Sequence, residues 1–470
     1  MNNKPMLNAY PDSLGGKLEE IVNLLKTDEM QDVFSSFYVL PSLYHSDLDR
    51  GFSVVDYELN EELADREDLE RLKELGIDLK LDFILNHASA QSPQFRDLVE
   101  KGEASDYRDF FIDWNQFWEG YGTMTEEGYI QPDESCLKRM FFRKPGLPLL
   151  MVEMADGSRI PYWNTFYQEI RDTDDYHTRY LGQMDLNIKS EKVWDFYRET
   201  IKKLAGYGAK IIRLDAFAYA PKAPGRANFL NEPETWEFLE QIHKLANPYG
   251  IRLLPEIHAG YKEKKYELIA QKGYLTYDFF LPGLILDALY RGDGTYLEQW
   301  AKEQIKEHIY TVNMLGCHDG IPVLDLAGLL PDDRIEDLIR LLVERGGFVK
   351  DLHGNKKMYY QVNTTYYNAL GENEQALLLA RALQIFMPGK PQVWYLDLFA
   401  GSNDYEAVKR AGAGGHKEIN RTNFTQKDIQ SGLEKEVVKK QLEMLKFRKE
   451  FPAFISPGKR TVILPACLQI

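Results

Sequence analysis

The chain has little cysteine, no long apolar run and no excess of basic residues. Three cysteines, Cys136, Cys317 and Cys467, lie far apart in 470 residues. An odd number of widely spaced cysteines excludes a disulfide framework and favours a reducing compartment. No apolar run approaches the roughly 20 residues of a membrane span, and the first residues lack the apolar core of a secretory signal. We therefore expect a cytoplasmic protein.

The charge balance argues against nucleic acid and anionic membranes as partners. Acidic residues outnumber basic ones, 73 to 57, and the formal net charge is −16. Such a chain is not expected to bind nucleic acid or an anionic membrane. We expect small-molecule substrates and a monomer or homodimer.

Short apolar runs alternate with longer amphipathic segments, which is the pattern of βα units around a parallel sheet. Helices are predicted at Glu61–Gly76 and Ser190–Gly208. The predicted strands are Met6–Tyr10, Phe37–Pro41, Leu79–Leu85, Ala209–Phe217, Arg252–His258, Thr276–Pro282, Thr311–Gly316 and Gln392–Leu398. Eight such units predict an α/β fold, a (β/α)8 TIM barrel.

The spacing of the strands is uneven, and two long excursions leave from the carboxyl ends of strands three and seven. Long loops on this face of a barrel commonly form lids or substrate platforms. The predicted division is a catalytic barrel (1–86, 188–319 and 383–459), an inserted domain after strand three (87–187), lid or acceptor loops after strand seven (320–382), and a remnant of a C-terminal β domain (460–470).

Polar side chains follow the apolar runs at four strand ends. These ends read DFILNH (82–87), RLDAFAY (213–219), PEIH (255–258) and CHDG (317–320). A single carboxylate there could pair with an arginine or cap a helix. Because the carboxyl ends of barrel strands meet on one rim, four such ends indicate one active site.

In order, these segments resemble the four short regions of the α-amylase family of glycoside hydrolases. The resemblance implies that Asp215 is the nucleophile, Glu256 the general acid/base and Asp319 the stabiliser of the transition state. It places Arg213 beside the nucleophile. His87 and His318 would bind glucosyl hydroxyls, and His258 is a further candidate; a histidine that only packs at the rim is the alternative.

The residue types suit a retaining mechanism, which needs an ionised carboxylate and a protonated carboxyl about 5–5.5 Å apart. Arg213 lies two residues before Asp215 on one strand, so both side chains point to one face. We expect its charge to keep Asp215 ionised. Glu256 needs a raised pKa to act as the acid.

Within the family the chain is most similar to the sucrose phosphorylases, through NAYPDSLGG, SDLDRGFSVVDY, FRKPGLP, YYQVNTTYYNALG, AGSNDYEAV and EINRTNF. The resemblance implies that Asp49 and Arg421 grip the far hydroxyls and close the pocket behind one glucosyl unit. Tyr219 would contact the sugar ring, and Gln183 would lie near its hydroxyls. A surface pair at Asp49 and core packing at Tyr219 are the alternatives.

Phosphorolysis requires phosphate to outcompete water, a preference of roughly 5 kcal/mol. Charge-assisted hydrogen bonds near the anomeric carbon can supply it. The candidates are Arg143 and Lys144 on the first excursion and Tyr360 and Gln361 on the second. Where sucrose phosphorylases have Arg before PGLP, this chain has Lys144, which binds phosphate without a bidentate fork. A solvated basic dipeptide is the alternative.

We predict a retaining glucoside phosphorylase that converts an α-glucoside, best sucrose, and phosphate to α-glucose 1-phosphate. The excursions depart from sucrose-specific members, so sucrose 6′-phosphate, glucosylglycerol and glucosylglycerate are alternative donors. His353, Lys356 and Lys357 could meet an anionic acceptor; a solvated loop tip is the alternative. An α-glucosidase or transglucosylase on the same triad is the runner-up, and a non-catalytic binding protein comes last. No organic cofactor or metal is expected. The family continues into a β domain after KFRKEFPAF, whereas this sequence ends at RTVILPACLQI.

Overall fold

Eight parallel strands form the centre of the molecule. The computed structural model describes residues 3–173, 175–351, 359–412 and 414–455, with the backbone alone at residues 176, 177, 350, 351, 359, 360 and 455. The strands are β1 (Met6–Ala9), β2 (Ser36–Val39), β3 (Asp78–Ile84), β4 (Ala209–Asp215), β5 (Arg252–Pro255), β6 (Thr276–Asp278), β7 (Thr311–Asn313) and β8 (Lys390–Trp394). Each overlaps one of the eight predicted runs.

The strands close almost completely into a barrel. The ladders run in the order β5-β4-β3-β2-β1-β8-β7-β6, and every pairing is parallel. The two end strands, β5 and β6, lie in contact. This is the predicted (β/α)8 architecture, and it brings the carboxyl ends of all eight strands to one rim.

Helices cover the outside of the barrel. The main ones are α1 (Leu18–Leu24), α2 (Arg66–Glu74), α3 (Glu191–Gly206), α4 (Glu234–Ala246), α5 (Lys265–Gln271), α6 (Thr295–Lys306), α7 (Glu374–Phe386) and α8 (Glu436–Glu450). In α3 the buried side chains Val193, Tyr197, Ile201 and Leu204 recur at helical spacing, so one stripe faces the strands.

Several predicted boundaries differ from the observed ones, and for two of them the structure shows the reason. The helix predicted from Glu61 starts at Arg66, because Asp65 caps it and forms a capping box with Asp68. The strand predicted to reach Pro282 ends at Asp278. There the Asp278 carboxylate accepts a hydrogen bond from the Leu281 amide, where the next helix begins.

The excursion after β3 carries small sheets and a cluster of aromatic side chains. Leu149–Glu153 pairs with Arg159–Trp163, and Tyr180–Asp185 pairs with both Gln168–Ile170 and His87–Ser89. A cluster separate from the barrel core holds Ile112, Trp114, Trp118, Ile130, Cys136 and Trp163. This excursion is therefore folded around side chains of its own.

After β7 the chain forms a helix (Asp332–Glu344) and a three-stranded antiparallel sheet of Ile321–Pro322, Phe348–Asp351 and Tyr359–Asn363. A third excursion, which sequence reasoning did not single out, follows β8 and includes a 3-10 turn at Gly415–Asn420. The predicted C-terminal remnant (460–470) lies outside the described residues, and the predicted domain boundaries stay predictions. Among the helices that are described, none has the length and apolar character to cross a bilayer.

Candidate active site

One buried guanidinium organises the carboxylates at the rim. Arg213 on β4 is 2 % exposed. Its Nη1 lies 2.5 Å from Asp82 Oδ1 and 3.0 Å from Asp215 Oδ1, and its Nη2 lies 2.6 Å from Glu256 Oε2. Because Asp215 and Glu256 bind neighbouring nitrogens of one planar group, they face the same small volume. The predicted nucleophile and acid/base are thus brought together.

The backbone turns sharply just after the candidate nucleophile. Ala216 has φ of 51° and ψ of 16°, in the left-handed region, and the strand ends there. The turn carries Tyr219 back over the rim, where its ring lies 5.1 Å from that of Phe166 and 4.7 Å from that of Phe229. Tyr219 therefore lies in an aromatic wall of the site.

The proton balance between the two carboxyls is the reverse of the prediction. Burial raises the pKa of Asp215 well above its ordinary value; Arg213 opposes this rise, and the charges of Glu256, Asp82 and Asp319 add to it. Burial alone would raise the pKa of Glu256 as well, but Arg213 and His258 hold it below its ordinary value. Two carboxyls that bind one guanidinium titrate together and share a proton, and without a sugar these directions favour that proton on Asp215 rather than on Glu256.

His258 is held by a carboxylate that the sequence did not reveal. Its Nδ1 lies 2.9 Å from Asp325 Oδ2, its Nε2 lies 3.7 Å from Glu256 Oε1, and Phe279 stacks on its ring at 3.9 Å. Asp325 belongs to no motif, and only the folded chain brings it to the rim. The imidazole thus lies between two carboxylates and positions the candidate acid.

We expect the fold to weaken between pH 6.5 and 9 because of this histidine. Burial alone would lower its pKa, but Asp325 and Glu256 raise the pKa of His258 from 6.5 to about 9. The folded protein holds this proton more tightly than the unfolded chain. The stabilisation is therefore complete below pH 6.5 and is lost as the pH rises through about 9. Urea unfolding across this range measures the slope.

The variant for this test is His258→Gln, whose stability should change less with pH over the same interval. His243→Gln on α4, a histidine away from the site, is the matched control and should keep the slope of the parent protein. Equal slopes for the parent protein and His258→Gln would contradict the assignment.

Asp319 follows β7 and lies between a histidine and two cations. Its Oδ2 is 3.4 Å from His318 Nε2, and its Oδ1 is 2.7 Å from Lys417 Nζ and 3.8 Å from Arg421 Nη2. Burial opposes ionisation, but Lys417, His318 and Arg421 hold the pKa of Asp319 well below its ordinary value. This carboxylate is ionised. Lys417 is a site residue that sequence reasoning missed.

Arg421 and Asp49 lie close together beside Asp319, and their role at the far hydroxyls stays a prediction. Arg421 Nη1 lies 3.8 Å from Asp49 Oδ1, and its Nε donates to the His318 carbonyl at 3.0 Å. Arg50 donates to the Arg421 carbonyl at 2.7 Å and lies over the Tyr10 ring at 4.1 Å. The loops after β2 and β8 are thereby joined.

His87 and Gln183 are buried beside the loop after β2. His87 Nε2 lies 3.0 Å from the Phe52 carbonyl oxygen, and Gln183 Nε2 donates to the same carbonyl at 3.0 Å. Burial lowers the pKa of His87 to about 4, so its ring is neutral at neutral pH. Gln183 also accepts from the Tyr167 amide at 3.0 Å. Both residues line the site, with part of their hydrogen-bonding capacity used within the protein.

The anion-binding candidates are partly brought together. Arg143 lies over the Phe166 ring at 5.7 Å. Lys144 donates to Asn164 and to Gln168, and burial lowers its pKa to about 8. Gln361 is buried, and its Nε2 has no hydrogen-bond partner within the described ranges. The side chain of Tyr360, like residues 353, 356 and 357, lies outside the described residues.

Many of these groups line one cavity of about 860 Å³, large enough for a disaccharide, whereas Arg421 is not among its lining residues. Its lining includes the three carboxylates Asp215, Glu256 and Asp319. It also includes Asp49, His87, Arg143, Lys144, Gln183, Arg213, Tyr219, His258, His318, Gln361 and Lys417. Across the described ranges, no group of three or more His, Cys, Asp or Glu side chains is arranged to hold a metal; the predicted lack of a metal stays a prediction.

Comparison with known proteins identifies relatives along almost the whole chain. Residues 25–318 match the model of the alpha-amylase catalytic domain. A sucrose 6(F)-phosphate phosphorylase of Ilumatobacter coccineus is 56 % identical, over 96 % of this chain and 88 % of its own. A sucrose phosphorylase of Streptococcus mutans is 35 % identical, over 98 % and 91 %. Among solved structures, a sucrose 6F-phosphate phosphorylase from Thermoanaerobacter thermosaccharolyticum superposes with a TM-score of 0.86 at 36 % identity, over 97 % and 88 %.

Proposed function

The chain belongs to the α-amylase family, in its branch of sucrose phosphorylase-like enzymes, and from this we propose that it is a retaining glucoside phosphorylase. It transfers a glucosyl unit from a sucrose-type donor to phosphate and forms α-glucose 1-phosphate. The observation that carries the proposal is the pair of carboxyls on one guanidinium, Asp215 and Glu256, in the wall of a cavity with cations at two sides.

The reaction proceeds in two displacements. Asp215 attacks the anomeric carbon while Glu256 gives its proton to the leaving oxygen, so the acceptor departs as an alcohol. A phosphate oxygen then attacks the same carbon from the vacated side. Glu256 takes up the proton of the attacking oxygen, Asp215 is released, and the two inversions give net retention.

The first step requires the shared proton on Glu256 rather than on Asp215. A donor whose glycosidic oxygen separates Glu256 from Arg213 removes the cation that lowers the pKa of Glu256. Of these two carboxyls, only Asp215 then remains in contact with the guanidinium of Arg213, which stabilises its ionised form. Donor binding thus converts the resting arrangement into the reactive one.

Measuring the two sugar products in phosphate buffer tests the proposal directly. We expect glucose 1-phosphate to exceed free glucose at millimolar phosphate, and its anomer, followed by NMR, to be α. Free glucose alone would identify an α-glucosidase on the same triad. Glucosyl transfer to sugars without phosphate incorporation would identify a transglucosylase.

Sucrose 6F-phosphate is the favoured donor over sucrose itself. Two relatives, at 56 % and 36 % identity, are named for this compound, and Lys144 adds positive charge to the cavity wall. A charge-assisted hydrogen bond contributes about 1.5–3 kcal/mol. We therefore expect kcat/KM to be about 10- to 100-fold higher for the phosphorylated donor. Glucosylglycerol and glucosylglycerate, assayed alongside, should react more slowly.

Arg143→Ala is expected to weaken the site for the attacking phosphate. With sucrose as the donor, the KM for phosphate should rise about 10- to 100-fold, because a cation near the attacking oxygens is lost, while the KM for sucrose changes little. Arg139→Ala, which removes an exposed arginine bound to the Gly225 carbonyl, is the control. If only the KM for sucrose 6F-phosphate rises, Arg143 instead binds the acceptor part of the donor.

A further inference from the structure

Two cations and two carboxylates form a ring at the wall of the cavity. Lys417 Nζ lies 2.7 Å from Asp319 Oδ1 and 3.8 Å from Asp49 Oδ1. Arg421 lies 3.8 Å from each of the same two oxygens. Lys417, Asp49 and Asp319 all line the cavity, so the ring opens to the space where a sugar is expected.

Three of these four distances between a side-chain nitrogen and a carboxylate oxygen are too long for direct hydrogen bonds, which join nitrogen and oxygen at about 2.7–3.2 Å. Arg421 Nη2 is buried and has no hydrogen-bond partner among the described residues. Buried polar atoms are normally satisfied. A hydroxyl group both donates and accepts, so hydroxyls placed in these gaps can donate to the carboxylates and accept from the cations.

Lys417 is placed in the ring by the turn after β8. It lies in the 3-10 turn Gly415–Asn420, four residues before Arg421. Its neighbour His416 is stacked on Phe348 from the excursion after β7, at 4.7 Å. The Asp404 amide donates to the Ile419 carbonyl at 2.9 Å. The lysine therefore belongs to a turn that is anchored on both sides.

We propose that Lys417 binds the 3-hydroxyl of the glucosyl unit and selects donors that carry it. This proposal rests on the proposed function, in which C1 lies between Asp215 and Glu256. Asp319 is then near C1, and Asp49 and Arg421 are at the far hydroxyls. Lys417 lies between Asp319 and Asp49. Its ammonium group therefore faces the sugar ring between C1 and the far hydroxyls, at C3.

The charge arrangement supports a recognition role over a purely structural one. Asp319 also has His318 and Arg421 nearby, so its ionisation does not depend on the lysine alone. The side chain of Lys417 is 15 % exposed, whereas that of Arg421 is 1 % exposed. Of the two cations in this ring of charged groups, the ammonium group of Lys417 is therefore the one that is open to the cavity.

Deoxygenated donors test the proposal. The donors are α-glucosyl fluoride and its 3-deoxy and 4-deoxy analogues, which share a leaving group that needs no acceptor site. Loss of the 3-hydroxyl should lower kcat/KM about 10- to 100-fold in the parent protein. In Lys417→Met the 3-deoxy penalty should shrink to less than about threefold, while the 4-deoxy penalty remains. Lys417→Arg should restore part of the 3-hydroxyl preference.

The controls separate other roles of the lysine. Lys409→Met removes an exposed lysine paired with Glu406 and should leave both penalties unchanged. If Lys417→Met raises the KM for phosphate and keeps the 3-deoxy penalty, the lysine binds phosphate and the proposal is overturned. A uniform loss for all three donors would also overturn it, since that indicates only a disturbed Asp319. Should the enzyme release glucose instead of glucose 1-phosphate, the same comparison applies to hydrolysis rates.

Discussion

Asp215→Asn is expected to lower kcat/KM by at least about 10⁴-fold while the protein remains folded. The amide has the shape of the carboxylate and can stay 3.0 Å from Arg213, but it cannot form the glucosyl ester. Stability should change little at neutral pH, because burial already raises the pKa of Asp215 and so disfavours its charged form in the folded protein.

The measurement is the initial rate of phosphate-dependent turnover of α-glucosyl fluoride, with thermal unfolding as the check on folding. Asp337→Asn is the matched control, since Asp337 pairs with Arg291 and Arg340 on the surface and undergoes the same chemical change. Acid-quenched parent protein should carry one glucosyl unit on the peptide that contains Asp215. Near-normal turnover by the variant, or a glucosyl unit on another peptide, would contradict the nucleophile assignment.

Arg213→Met is expected to cause the largest loss of stability. The guanidinium contacts Asp82, Asp215 and Glu256, and methionine leaves these carboxylates without their cation. Removing one partner of a buried ion pair costs about 3–5 kcal/mol. The free energy of unfolding, measured with urea at neutral pH, should fall by about this amount, and turnover should be lost with it.

The pH dependence of this loss identifies its cause. Burial already raises the pKa of Asp82, and Arg213 opposes the rise. Without the arginine the folded pKa of Asp82 is higher still. A carboxyl with a raised folded pKa favours the folded state at low pH and opposes it as the pH increases. The deficit of Arg213→Met should therefore be smaller at pH 5 than at pH 8.

The double variant Arg213→Met with Asp82→Asn should regain part of the stability at pH 8, because one uncompensated charge is removed. Arg334→Met, which removes an arginine bound to Asp287 and Asp293 outside the site, is the control for loss of an ion-paired arginine, and its deficit should not shrink towards pH 5. A deficit for Arg213→Met that is independent of pH would indicate lost packing rather than lost charge.

The strands and the rim were predictable from sequence because both leave local signals. A buried parallel strand is a short apolar run, and a polar residue directly after it marks a rim position. Arg213 and Asp215 share a face because they are two residues apart on one strand. Family resemblance added Asp49 and Arg421, which lie in loops where no periodicity applies.

The residues that were missed have no local signal. Lys417 directly precedes the EINRTNF segment, and its neighbours do not reveal that it reaches Asp319. Asp325 follows β7 by a dozen residues and finds His258 only in three dimensions. The proton balance was predicted wrongly for the same reason, since Glu256 meets both Arg213 and His258 in the folded chain.

The junction of the loops after β2 and β8 also bears on how the protein is made. Arg50 and Arg421 touch although 371 residues separate them, so this contact closes one of the longest loops that the chain allows and has a high entropic cost. A nascent chain on the ribosome cannot form this junction until the segment that carries Arg421 has emerged. Substrate, which stabilises only the state that binds it, therefore protects the finished enzyme against proteases and gives no help to its partly synthesised precursors.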